Sequence, residues 1–119
     1  MKLEKISIEK ETRVEFSSNE LLFLAKSGQP YRGSVYVKFE SLGESFDMPS
    51  FKRYLTSLRS TTLNAEDIAY EIYETIHNAI RSKNLGVVVD LSARGGLQQR
   101  LSFGHEFQVS QKNNIFQVG

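Results

Sequence analysis

Cysteine is absent from this chain, and its absence excludes disulfides, thiolate-held zinc and a thiol nucleophile together. No apolar run approaches the ~20 residues that span a bilayer. The start, Met1-Lys2-Leu3-Glu4-Lys5, carries charge where a secretory leader would be apolar. A soluble, cytoplasmic protein without a membrane partner is expected. The net charge is only +1, which provides no long-range field to gather a polyanion, so nothing calls for a nucleic-acid partner. Internal repeats, low-complexity tracts and linkers are also missing, and 119 residues suit one domain spanning the whole of 1–119. With 39% hydrophobic and 24% charged residues the composition is that of an ordinary folded domain. A chain this long buries roughly two-thirds of its unfolded surface, enough for one core.

Periodicity divides the chain into six elements. Ile6, Ile8, Thr12, Val14 and Phe16 alternate, which predicts a half-buried strand broken at Ser17-Ser18-Asn19. Glu20 to Lys26 reads as an apolar connection leading to Ser27-Gly28-Gln29-Pro30, a turn in which Gly28 can take positive φ. A second strand puts Val35, Val37 and Phe39 on one face, and Ser41 to Ser45 turns around Gly43. Phe51, Tyr54, Leu55 and Leu58 form one stripe on a short helix, capped by Asp47 or Met48 with Pro49 in its first turn. Ile68, Ile72, Ile76 and Ile80 advance by four along a second helix. Asn64 would cap it, Glu66 and Asp67 would face its positive end, and Arg81, Lys83 and a left-handed Asn84 would close it. Leu85 to Ala93 is a β-branched strand ending at Arg94-Gly95-Gly96, and Leu97 to Val109 alternates again. Strand, strand, helix, helix, strand, strand describes an α+β layer: a four-stranded antiparallel sheet with two helices on one face. Such a sheet has two open edges that invite pairing.

Several motifs stand at fixed spacing: Ser27-Gly28-Gln29-Pro30, the run Ser50-Phe51-Lys52-Arg53-Tyr54-Leu55-Thr56-Ser57-Leu58-Arg59, then Glu66, then Arg94-Gly95-Gly96. Together they resemble the 7-cyano-7-deazaguanine (preQ0) reductase family, the nitrile reductases of queuosine biosynthesis. The resemblance covers roughly Glu20 to Leu97. It implies the tunnelling fold, in the order ββααββ, and a homo-oligomer whose sheets close into a barrel with ligand sites between subunits. It also exposes three departures. Leu24 occupies the position of the family's nucleophilic cysteine, Tyr31 that of its proton-handling aspartate, and Ala65 that of its histidine. A covalent thioimide needs a soft nucleophile that can also depart, which leucine is not. The aspartate and histidine positions have lost their proton carriers as well.

What the resemblance retains is a ligand-binding set of Glu66, Ser27, Gln29 and Arg94 with no confident catalytic residue. Glu66 would grip the pyrimidine edge of a base through two N–H···O contacts; on position alone it is an ordinary first-turn helix carboxylate. Phe23 and Tyr31 would stack on a planar ring or fill the vacated space. Lys52, Arg53 and Arg59 would meet phosphates or stay a solvated face. His77 and His105, without cysteine, make a poor zinc set, and no metal is expected. The degenerate active site implies a reductase-like protein that does not reduce and binds a purine, 7-deazapurine or pterin-like base between subunits. No cofactor is expected, NADPH entering only if family chemistry persists. Two other readings stand beside this one. One is an enzyme of altered chemistry on a related heterocycle, using a base such as His105 or Lys26. The other is a structural oligomer or partner subunit without a small ligand, for instance beside a paralogous subunit that supplies the cysteine.

Overall fold

The computed structural model describes residues 3–92 and 97–109. Six strands and two helices follow in the order β1 (Lys5–Ser7), β2 (Arg13–Leu24), β3 (Pro30–Ser41), β4 (Glu44–Phe46), α1 (Met48–Ser57), α2 (Ile68–Ala79), β5 (Ser82–Ser92) and β6 (Gln98–Gly104). Short 3-10 turns at Leu58–Ser60 and Ala65–Asp67 join the helices. The principal sheet is four-stranded and antiparallel in the order β2-β3-β5-β6, and β1 with β4 forms a separate two-stranded ribbon. The expected α+β order ββααββ is therefore present, with one ribbon added.

Alternation decides which side of the sheet is covered. Val35, Val37 and Phe39 of β3 and Val87, Val89 and Leu91 of β5 are buried, and α1 packs over β2 while α2 packs over β5 and β6. Ile68, Ile72 and Ile76 of α2 are fully enclosed, so the spacing by four puts an unbroken stripe on the sheet. At one end Phe46 lies 4.4 Å from Phe16 and 5.2 Å from Phe51 between ring centroids, which pins the ribbon and α1 together. Asp47 caps α1 by accepting from the Ser50 amide at 3.1 Å, and Pro49 follows in the first turn as its missing N–H allows.

Five expectations are corrected. The alternating stretch from Ile6 to Phe16 is two strands, because β1 leaves to pair with β4 and the main strand begins at Arg13. Ser17-Ser18-Asn19 does not end that strand. A bulge between Ser18 and Leu21 absorbs one residue, so Glu20 to Leu24 continues β2 rather than forming a connection. Arg81, Lys83 and Asn84 do not close α2, which stops at Ala79. Asn84 does adopt φ +57°, but inside β5, where the register with β3 shifts between Lys38 and Glu40 and its side-chain amide donates to Glu40 at 2.7 Å. Finally, β6 ends at Gly104, whose φ of +88° turns the chain, so His105, Phe107 and Val109 are not strand residues. The second helix is also entered differently: Asn64 makes no side-chain cap bond and precedes the 3-10 turn Ala65–Asp67.

Candidate functional site

The β2–β3 hairpin is built by its own backbone. Ala25 donates to the Gln29 carbonyl at 2.8 Å, Gly28 donates to Ala25 at 2.9 Å, and Gly28 takes the φ of +90° that a side chain would resist. Just before it, Leu24 forms a parallel bridge with Thr62. The Leu24 amide donates to the Thr61 carbonyl at 2.9 Å, and its carbonyl accepts from the Leu63 amide at 2.9 Å. The end of β2 is thereby tied to the segment that leads into Ala65 and Glu66. The sheet does the rest: Leu24 is opposite Pro30 and Arg32 is opposite Ser92, so both hairpins of the main sheet open at the same end.

This end gathers Leu24, Ser27, Gln29, Tyr31, Ala65 and Glu66. Arg94 lies outside the described residues. A groove of about 430 Å³ is lined by Ser27, Gln29, Pro30, Tyr31, Arg32 and Ser92, among others, a size within the usual range for small-molecule sites. Glu66 is exposed at the 3-10 turn and does not line this groove. Among the described residues it has no ion-pair partner.

Leu24, Tyr31 and Ala65, the three positions expected to depart from the family pattern, do not share one pocket. Residues paired across strands project to the same face, and Tyr31 pairs with Phe23 while Leu24 pairs with Pro30. Tyr31 therefore turns toward the helices, where its ring stacks on Phe23 at 5.1 Å, and Leu24 turns to the opposite face. Phe23 is wholly enclosed, so it is a core residue and not a platform for a base. Ala65 is buried beneath its turn.

Arg32 and Ser92 are groove residues that the sequence did not single out. They meet only through the register of β3 with β5, and nothing local to either residue signals it. Conversely, His105 stands away from the site. Its amide donates to the Leu85 carbonyl at 2.8 Å, at the far end of β5 from Ser92. Ser92 stands six positions along β5 from Gly86, which His105 overlies, or roughly 20 Å of strand at about 3.3 Å per residue. His105 thus stands well away from the groove at the Ser92 end within one copy. Lys26 is exposed in the hairpin. His77 stacks on Tyr73 at 5.6 Å. No group of three acidic or histidine side chains gathers to hold a metal among the described residues.

The cations of α1 and of the 3-10 turn after it fit a dinucleotide poorly within one copy. Arg53 pairs with Glu4 at 3.3 Å. Lys52 and Arg59 edge a groove of only about 170 Å³ beside Phe16, Met48 and Leu55, below the roughly 300–1,000 Å³ typical of ligand pockets.

The fold defined by this sheet and helix pair is shared with the archaeosine synthase QueF-Like solved in the apo form. The likeness has a TM-score of 0.68 at 16% identity and covers 83% of this chain and 96% of that one. It is an α+β tunnelling fold. Residues 30–109 match the family model described as QueF-like protein, and the chain belongs to that family. It is similar to the NADPH-dependent 7-cyano-7-deazaguanine reductase of Rickettsia akari, 31% identical over 94 residues covering 79% of this chain and 33% of the relative. The enzyme of the same description from Wolinella succinogenes is 28% identical over 72 residues, covering 60% of this chain and 58% of the relative. The chain thus spans well under two-thirds of the length of either reductase. No helix among the described residues is long and apolar enough to cross a membrane.

Proposed function

We propose that this chain is a non-reducing relative of the 7-cyano-7-deazaguanine reductases that binds a purine, 7-deazapurine or pterin-like base where copies of it meet. Supporting the reading above all is the tie between Leu24 and the segment 61–63. It keeps the family's nucleophile position next to the turn that carries Glu66, although the nucleophile itself is gone. An exposed carboxylate without an ion-pair partner suits two N–H donors from the edge of a guanine-like ring. Ser27, Gln29 and Arg32 on the neighbouring hairpin supply further polar contacts. Hydride from NADPH has no thioimide to reduce here, because Leu24 cannot form one.

Titration calorimetry with guanine, 7-deazaguanine and pterin-type bases tests this. Saturable heat is expected with at least one of them and is expected to vanish in Glu66→Ala, whose exposed site leaves the fold intact. A flat isotherm across the panel sinks the proposal.

A second reading draws on a different observation. Tyr31 and Phe23 fill the helix side of the hairpin with a closed aromatic stack, which suits a scaffold subunit that takes no ligand of its own and pairs with a cysteine-bearing paralogue. Native mass spectrometry of the two chains expressed together would reveal a mixed assembly; two separate homogeneous species would remove this reading.

A further inference from the structure

The face of the main sheet turned away from the helices carries a recess of its own. Val87, Val89 and Leu91 point into the core, so alternation turns Gly86, Val88 and Asp90 of β5 to the other side. Register sets Gly104, Ser102 and Arg100 of β6 beside them. Beyond Gly104 the segment 105–109 crosses this face as a strap. A Cβ on Gly86 would run into the His105 carbonyl and stand 3.0 Å from the Phe107 ring, so the crossing needs glycine there. The Lys38 ammonium lies over the same ring, 5.9 Å from its centroid. Val88 shows the effect: it is only 5% exposed, although it faces away from the helices and stands outside the main hydrophobic core. Between strap and sheet a groove of about 570 Å³ remains, lined by Val88, Arg100, Ser102, Glu106, Phe107 and Gln108, among others. It is larger than the hairpin groove and shares no lining residue with it.

Both signs of charge stand in this groove. Asp90 accepts from Arg100 Nη2 at 2.8 Å across the strands. That contact fixes the guanidinium without using up its fork of N–H donors, which suits a carboxylate. A side chain already held in place also loses little freedom when a ligand arrives. Glu106, on the strap, is exposed and has no ion-pair partner among the described residues. Because Asp90 answers Arg100, the surroundings hold no surplus of positive charge, which disfavours a bare phosphate. A cation, an unpaired carboxylate and the apolar surface of Val88 and Phe107 together complement a molecule that carries both signs and an apolar body. We infer that this groove binds a free α-amino acid with an apolar side chain. Its carboxylate meets Arg100 and Ser102, its ammonium meets Glu106, and its side chain lies against Val88 and Phe107. The site is separate from the one proposed for a base and does not rest on it.

Titration calorimetry with L-phenylalanine and L-leucine tests this. Saturable heat is expected with at least one of them, weakened about tenfold or more in Arg100→Gln and in Glu106→Gln. Glu106 lies outside every strand and helix, so its variant keeps the test valid should Arg100→Gln, which also loses the Asp90 pair, fold badly. Phenylpropionate and isocaproate lack the ammonium, and phenethylamine and isoamylamine lack the carboxylate. Each is expected to bind about tenfold or more weakly than its parent amino acid. Glu66→Ala is expected to leave amino-acid binding unchanged. Flat isotherms with both amino acids overturn the inference, and so does undiminished binding in Glu106→Gln or of the analogues. Binding abolished by Glu66→Ala overturns the separateness of the site. Amino-acid binding without heat from any base supports this groove and removes the base reading alone.

Discussion

The Tyr31 ring lies against the Phe23 ring with 5.1 Å between centroids and 26° between planes. On the proposed correspondence with the reductases, the residue at their aspartate position therefore lies on the core face of the hairpin. A stacked pair of this kind contributes about 0.5–1.5 kcal/mol beyond the area it covers. Tyr31→Asp is expected to lower stability by about 1–2 kcal/mol, read as a reduced urea midpoint. It is not expected to create reductase turnover, because Leu24 is unchanged.

Asn84 holds a left-handed backbone, φ +57°, at the bulge of β5 and donates to Glu40 at 2.7 Å. Alanine there pays a conformational cost of about 1–2 kcal/mol and loses the hydrogen bond. Glycine loses only the bond. Thermal melts are expected to rank the wild type first, Asn84→Gly second and Asn84→Ala third. A melt in which alanine equals or exceeds glycine would show that the bulge does not depend on this backbone.

Glu44 gives the fold a dependence on acid. The Arg81 backbone amide donates to its carboxylate at 2.8 Å and the Lys5 ammonium approaches at 3.0 Å. These contacts, the amide first, hold its pKa below the ordinary 4.5. A depressed folded value means the contribution is complete above about 4.5, where both folded and unfolded chains are ionised. It is lost as pH falls through the lower folded value. Glu44→Gln is expected to be less stable than wild type at neutral pH and to converge with it in acid; chemical denaturation at a series of pH values checks this.

The helices were legible because their signals are local. Asp47, Pro49 and the stripe from Phe51 to Leu58 mark α1 within a dozen residues, and four isoleucines mark α2. The misreadings share a cause: each depends on a partner far away in the chain. Ser17-Ser18-Asn19 looks like a stop until β3 is set beside it, and the bulge then carries β2 on to Leu24. Asn84 suits a left-handed residue wherever it stands, and only the register with Lys38 and Glu40 shows that it belongs to a sheet. Alternation through His105 and Val109 hid the turn that Gly104 imposes. The site followed the same division. Gly28-Gln29-Pro30 and Glu66 were readable from motif resemblance, whereas the opposite facing of Leu24 and Tyr31, and the entry of Arg32 and Ser92, come from strand pairing alone.

Both polar backbone atoms of Leu24 are engaged with Thr61 and Leu63, so the strand end is anchored by its main chain and asks little of the group on its Cα. Architecture and reactivity are decoupled at this one spot. On the proposed correspondence with the reductases, Leu24→Cys is therefore expected to set a thiol on the strand end while leaving the thermal melt near that of the wild type.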